Sequence, residues 1–186
     1  MRYASMRNLD ISNGEGVGVS LFVQGCDRHC FNCFNPDTWD FNGGKEWTEE
    51  AKNKFMELID RPYIRRISVL GGEPLAEQNL DEVLSLTQQI RNSFPKKTIW
   101  LYTGFCWNDI MSSFAGLQAD CVVLDKKDIE AWEKRRKIIS NVDVLVDGEY
   151  IDEQKDLSLK FKGSKNQRVI DVKQSLAQNK VVLYCD

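Results

Sequence analysis

Three cysteines fall within eight residues, Cys26-Asp27-Arg28-His29-Cys30-Phe31-Asn32-Cys33, with the spacing C-x3-C-x2-C. The triplet directly follows an apolar stretch, 17–25, whose residues 17–24 read as a strand. No other feature constrains the chain as strongly, because the thiols must open from the loop at that strand's end. A cubane iron–sulfur cluster has four irons, and full protein ligation takes four thiolates. Three close thiolates with no evident fourth leave one iron open, and an open iron can hold a substrate.

Other readings of the triplet carry less. A structural zinc site closes with four ligands, often as two separated pairs, and here there is one triplet. His29 is the sole histidine, and its neighbour Cys30 makes shared tetrahedral ligation awkward. A fully ligated electron-transfer cluster needs Cys106, Cys121 or Cys185 as a fourth ligand, and nothing in the spacing selects one. These three are read as ordinary buried or half-buried thiols.

With 186 residues and 42% hydrophobic content, the chain is expected to form one domain, 1–186, around a real core. The formal net charge of −3 gives no electrostatic case for nucleic acid or an anionic membrane. The basic run Lys134-Arg135-Arg136-Lys137 shares its helix with Glu130 and Glu133 and reads as a solvated face. No apolar run approaches the roughly 20 residues that span a bilayer, and the first residues show no signal region. A cytoplasmic address is the expectation, where six cysteines serve metal or redox roles rather than disulfides.

Strand and helix signals alternate along the chain. Strands are expected over 17–24, 65–70, 98–102, 120–124, 142–146 and 180–184. Helices are expected over 49–60, with Thr48 as N-cap, and over 78–93, 107–116, 126–138 and 172–178. Such alternation predicts an α/β fold with a mainly parallel sheet. A closed eight-fold barrel takes about 250 residues, so an incomplete barrel or an open sheet is expected. Function in these folds gathers at the carboxyl ends of the strands. The cysteine loop, Gly71-Gly72-Glu73-Pro74, Thr103-Gly104 and Asp147-Gly148 each follow an expected strand and should share one rim. Asp125 and Asp147 sit at strand ends, where turn formation is the default role and substrate positioning at the rim the alternative, and Trp100 and Trp107 belong in the core. Phe31, Phe34, Trp39, Phe41 and Trp47 are expected to form an apolar shell around the cysteine loop.

The triplet after a first strand resembles the cluster loop of the radical S-adenosylmethionine (SAM) superfamily. Many members have an aromatic residue before the last cysteine, where this chain has Asn32. Gly71-Gly72-Glu73-Pro74 resembles the superfamily's segment for the methionyl part of SAM. Its two glycines permit close backbone approach, and its carboxylate can pair with an ammonium. Gly25-Cys26 to Cys33-Phe34-Asn35-Pro36, Thr38-Trp39-Asp40-Phe41, Trp100 to Gly104, Asp143 to Gly148, Asp156-Leu157-Ser158-Leu159 and Gly163 to Arg168 resemble one family. It is that of the activating proteins of anaerobic ribonucleoside-triphosphate reductase. The likeness covers roughly 8–171.

The resemblance implies a partial β/α barrel and a 4Fe–4S cluster on Cys26, Cys30 and Cys33. It implies SAM contacts from Asn32, Cys33, Phe34, Gly71, Gly72, Glu73 and Thr103. The implied reaction is reductive cleavage of SAM to a 5′-deoxyadenosyl radical, which installs a glycyl radical on the large reductase subunit. A flavodoxin or ferredoxin-type protein would donate the electron. The Asn166-Gln167-Arg168 segment would order a loop or touch the partner. Rival readings are an activase of a formate-lyase-type glycyl radical enzyme, a small-molecule radical SAM enzyme, and a non-enzymatic iron–sulfur or zinc protein.

Overall fold

A computed structural model describes residues 1–111 and 125–185. The apolar run Gly18–Val23 forms β2, and all its residues are buried, as in strands covered on both faces. It pairs in parallel with β4 (Arg66–Gly71), β4 with β5 (Thr98–Tyr102), and β5 with β6 (Val144–Asp147). The flanks run the other way. β1 (Arg2–Asp10) is antiparallel to β2 and to the short β3 (Lys45–Glu46). On the far side β7 (Arg168–Asp171) is antiparallel to β6 and β8 (Leu183–Cys185) to β7. The described sheet has the order β3-β1-β2-β4-β5-β6-β7-β8. The parallel arrangement therefore holds in the central region, and the expectation for the whole sheet is corrected at both flanks.

Five described helices accompany these strands: α1 (Glu49–Ile59), α2 (Leu80–Ser93), α3 (Trp107–Met111), α4 (Lys126–Asn141) and α5 (Val172–Gln178). Thr48 caps α1 by accepting from the Ala51 N–H. Asp125 and Asp128 form a capping box at the start of α4, which satisfies N–H groups that the helix itself leaves open. The strand expected over 120–124, the end of the helix expected over 107–116, and Cys121 lie outside the described residues. Among the described residues no helix is long and apolar enough to cross a membrane.

Period-2 alternation divides the central strands into two faces. Val19, Leu21, Ile67, Val69, Ile99, Leu101 and Leu145 pack with Phe55 and Ile59 of α1, Val83 and Ile90 of α2, and Ile138 and Ile139 of α4. Trp107 joins this core, and Trp100 is buried with Val144, Val146 and Val169 on the opposite face. Across that second face the register aligns Ser20 with Ser68, Ser68 with Trp100, Phe22 with Leu70, and Tyr102 with Val146.

The amino ends of this face carry a buried charge pair. Arg66 is 0% exposed and Asp10 is 3% exposed. The Arg66 guanidinium donates to Asp10 Oδ1 at 3.1 Å and to the Asp10 carbonyl at 2.7 Å, and reaches Ser68 Oγ and the Asn13 carbonyl. Asp10 also accepts from Ser20 Oγ (2.7 Å), the Ser12 and Asn13 N–H groups (each 2.9 Å) and Asn13 Nδ2 (2.6 Å). Burial opposes ionisation, but the bonds from Asn13, Ser20 and Arg66 outweigh it and hold the carboxyl well below its usual range. Gly14 lies over this network with φ +125°, where an added Cβ would stand 2.5 Å from Arg66 Cδ. The 10–14 loop thus seals that end of the sheet.

Removing one member of such a pair strands the other as a buried charge. Arg66→Met is therefore expected to cost about 3–5 kcal/mol, read from urea unfolding. Because the folded Asp10 carboxyl is depressed, its contribution is complete above the unfolded value of about 3.9 and is lost as pH falls further. Asp10→Asn should flatten this acid dependence below about pH 4, measured as melting temperature against pH.

Candidate active site

The loops after β2, β4, β5 and β6 line one cavity of about 550 Å³, which takes in Cys26, Cys30, Cys33, Gly71, Gly72, Glu73, Thr103, Gly104 and Gly148. That volume suits a small-molecule ligand. The four rim segments expected from sequence do converge, because parallel neighbours bring their carboxyl ends to one side.

The cysteine loop is folded back over its strand. The buried Gln24 amide donates to the Asp37 and Asp40 carbonyls at 3.0 and 2.8 Å, and Gly25 N–H donates to the Thr38 carbonyl at 2.8 Å. His29 and Asn32 have φ of +50° and +53°, and each directly precedes a cysteine. Asn and His tolerate this left-handed region better than most residues, so the backbone itself accounts for Asn32. The Asn32 side chain donates to Asp152 Oδ2 at 2.9 Å, and Asn32 itself does not line the cavity, which its neighbours Cys33 and Phe34 do. The His29 ring stacks on Trp39 at 4.6 Å.

All three thiols are free, and each sulfur receives a backbone N–H. Arg28 and His29 donate to Cys26, Tyr150 to Cys30, and Asn35 to Cys33, the last at 3.4 Å. Burial raises the Cys26 thiol despite these bonds, and raises Cys30 to about 11 with Glu149 adding to the effect. The Cys30 thiol lies 3.6 Å from Glu149 Oε1. Soft sulfur donors, each hydrogen-bonded by N–H, fit an iron–sulfur cluster, whose electronics respond to such bonds. A bound metal also reverses the thiols' preference and takes them as thiolates.

The expected aromatic shell divides. Trp39, Phe41 and Trp47 are half-buried. Phe31 and Phe34 instead remain 73% and 57% exposed, which corrects the expectation for these two. Phe34 lines the cavity and meets the Tyr150 ring at 5.0 Å.

Gly71 has φ +110°, and a Cβ on Gly72 would stand 2.4 Å from the Gly25 carbonyl oxygen. The second glycine is thus required by the cysteine loop itself, which docks through Gly72 N–H to Val23 O (2.9 Å) and Glu73 N–H to Gly25 O (2.7 Å). Glu73 is 1% exposed. Its carboxylate accepts from Leu75 N–H (2.9 Å), Thr103 Oγ (2.7 Å) and Gly104 N–H (2.8 Å). Burial pushes its pKa up, while these bonds and the Arg28 charge oppose the rise. The Thr103 hydroxyl also accepts from Phe105 N–H at 3.1 Å. Its first role in the structure is to join the β4 and β5 loops.

The segment 148–167 closes the cavity from the β6 side. Gln167 Oε1 accepts from Gly163 and Ser164 N–H, Gln167 Nε2 donates to the Gly148 carbonyl, and Asn166 Nδ2 donates to the Glu149 carbonyl. Arg168 pairs with the buried Asp147, which also accepts from Trp107 N–H. The Asn-Gln-Arg segment therefore orders a loop. Asp143 likewise serves structure, pairing with Arg91 and Lys173. Arg7, Ser12, Asn13, Tyr102, Tyr150 and Phe161 also line the cavity, and sequence reasoning assigned none of them. Arg7, Ser12 and Asn13 depend on β1, whose mixed, half-exposed sequence lacks a strand's alternation. Cys106 is exposed, a correction to its expected burial, and Cys185 is half-buried.

Comparison with known proteins bears on this arrangement. Residues 12–170 match the family described as the 4Fe-4S single cluster domain. The anaerobic ribonucleoside-triphosphate reductase-activating protein of Salmonella typhi is 33% identical over 171 residues, 91% of this chain and 97% of that protein. The proteins of that name from Vibrio cholerae and enterobacteria phage T4 are each 32% identical, covering 90% and 91% of this chain and 96% and 93% of their own lengths. This chain, with its three N–H-bonded thiols at the end of β2, belongs to the anaerobic ribonucleoside-triphosphate reductase-activating protein family.

Proposed function

We propose that this chain is a radical SAM activating enzyme that installs a glycyl radical on the large subunit of anaerobic ribonucleoside-triphosphate reductase. The observation that carries this reading is the convergence of three free, N–H-bonded thiols with the Gly71-Gly72-Glu73 and Thr103-Gly104 loops on one cavity. Cys26, Cys30 and Cys33 would hold a 4Fe–4S cluster with one iron left for SAM. When bound, that pair of cofactors supplies an electron to the sulfonium, releasing methionine and a 5′-deoxyadenosyl radical that takes hydrogen from a glycine Cα.

The chain's own residues position and shield. The left-handed turns at His29 and Asn32 set the direction of the following cysteines. In this reading the backbone from Asn32 through Phe34 meets the nucleoside, and Gly71, Gly72, Glu73 and Thr103 form the wall for the methionyl end. Three donors hold Glu73 in place and leave lone-pair capacity on its oxygens for an ammonium. Phe22, Leu70 and Val146 give the cavity an apolar lining that keeps water from a reactive carbon. The sheet belongs to one radical SAM domain, 1–186, with a partial barrel whose open side admits a protein substrate. The electron donor is of flavodoxin or ferredoxin type, and the setting is cytoplasmic.

Iron-loaded protein prepared without oxygen is expected to hold about four irons and to change its spectrum on adding SAM. One zinc per chain, or four irons with no response to SAM, overturns the assignment. Cys30→Ser should abolish both cluster colour and 5′-deoxyadenosine formation, and cleavage that survives the substitution refutes three-cysteine ligation. With dithionite, SAM and the large reductase subunit, the intact enzyme should yield a glycyl radical doublet by paramagnetic resonance. A doublet formed only on a formate-lyase-type partner redirects the substrate assignment.

A further inference from the structure

The middle of the cysteine loop carries a cation that the family resemblance does not use. Arg28 stands between Cys26 and Cys30 and lines the cavity beside Glu73 and Gly104. A Cβ on Gly104 would lie 3.1 Å from Arg28 Cδ, so the side chain runs across the end of β5. Its guanidinium sits over the Phe105 ring at 4.1 Å. The Arg135 guanidinium lies on the same ring at 4.6 Å, and its Nε donates to the Leu75 carbonyl at 3.0 Å. Two like charges therefore share one aromatic ring.

Among the described residues, no hydrogen bond or ion pair engages Arg28. Glu73 feels its charge, yet the Glu73 oxygens accept from Leu75, Thr103 and Gly104 rather than from Arg28. Arginine has five donors in a planar fork that matches a carboxylate. The Phe105 face restricts the guanidinium, so little freedom remains to be lost on binding. The cavity thus offers a fixed cation and a fixed carboxylate close together, which complements a zwitterionic α-amino acid group.

We infer that Arg28 binds the carboxylate of the methionyl group of SAM, with Glu73 on the ammonium side. This inference rests on the SAM reading of the cavity and deepens it. It makes Arg28 a residue for recognising the amino acid end of the ligand, placed within the cluster loop itself. An anion there also relieves the repulsion between Arg28 and Arg135.

The test is equilibrium binding to cluster-loaded, oxygen-free protein, with labelled SAM and with decarboxylated SAM as probes. Arg28→Gln should weaken SAM binding by about tenfold to a hundredfold, the range for a lost charge-assisted bond. It should leave decarboxylated SAM within about twofold, since the partner group is missing from both sides of that comparison. Arg28→Lys, which keeps the charge but not the fork, should fall between, with iron content matched in all three proteins. Equal binding of SAM by Arg28→Gln and the unaltered protein overturns the inference, as does equal weakening for both ligands. Weakened binding of the large reductase subunit with unchanged SAM binding also overturns it, placing the carboxylate on the partner. If the unaltered protein binds no SAM, the functional reading itself falls, an outcome distinct from the others.

Discussion

The Glu73 carboxylate is the tie on which the site depends. It is nearly devoid of water contact, and its oxygens take donors from its own loop and from the β5 loop. A charge so placed is tolerated only where fixed donors replace water. Those donors fix the spacing between the ends of β4 and β5. The cysteine loop is fixed in turn, because Glu73 N–H and Gly72 N–H both bond to its first turn and to the end of β2. One buried group thereby sets three of the four rim loops relative to one another.

The opposite end of the same face is organised by a different buried charge. Arg66 and Asp10 bond each other, with further bonds to Asn13, Ser20 and Ser68. Their network fills the space beneath the central strands that a closed barrel would fill with layers of side chains. Between that polar floor and the Glu73 tie, the strands present Phe22, Leu70, Tyr102 and Val146 to the cavity. The result is a chamber with a sealed base, apolar walls and a rim of polar backbone and sulfur. That division suits chemistry in which a reactive carbon must meet a substrate but not solvent.

Much of this was legible in the chain. The triplet, the two-glycine segment and the strand–helix alternation placed the rim correctly, because each depends on local spacing or on a period. Helix α1 and its Thr48 cap, the buried face of α2, and the burial of Trp100 and Trp107 follow from the same short-range signals. Of the flanking strands, β1, β3 and β7 were not legible, whereas the last strand was expected over 180–184 and forms as Leu183–Cys185. β1 carries Arg2, Arg7 and Asp10 on a half-exposed strand, and β7 has only four residues, so neither shows a clean period. The aromatic residues of the cysteine loop misled for a related reason. Phe31 and Trp39 are similar in composition, but only the three-dimensional path of the loop decides which one is covered.

The sequence by itself determined the chemistry available: three sulfurs on one short loop, two flexible backbone positions and a carboxylate one strand later. It also determined the parallel order that brings them to one rim. Tertiary structure alone decided what those groups are bonded to. The partners of Arg66, Glu73, Cys30 and Asn32 lie 56, 31, 119 and 120 positions away in the chain, a separation that leaves no local pattern. Burial, the Tyr150 N–H bond to Cys30 and the seating of Arg28 on Phe105 arise only when distant loops meet, since each depends on which groups exclude water from which others.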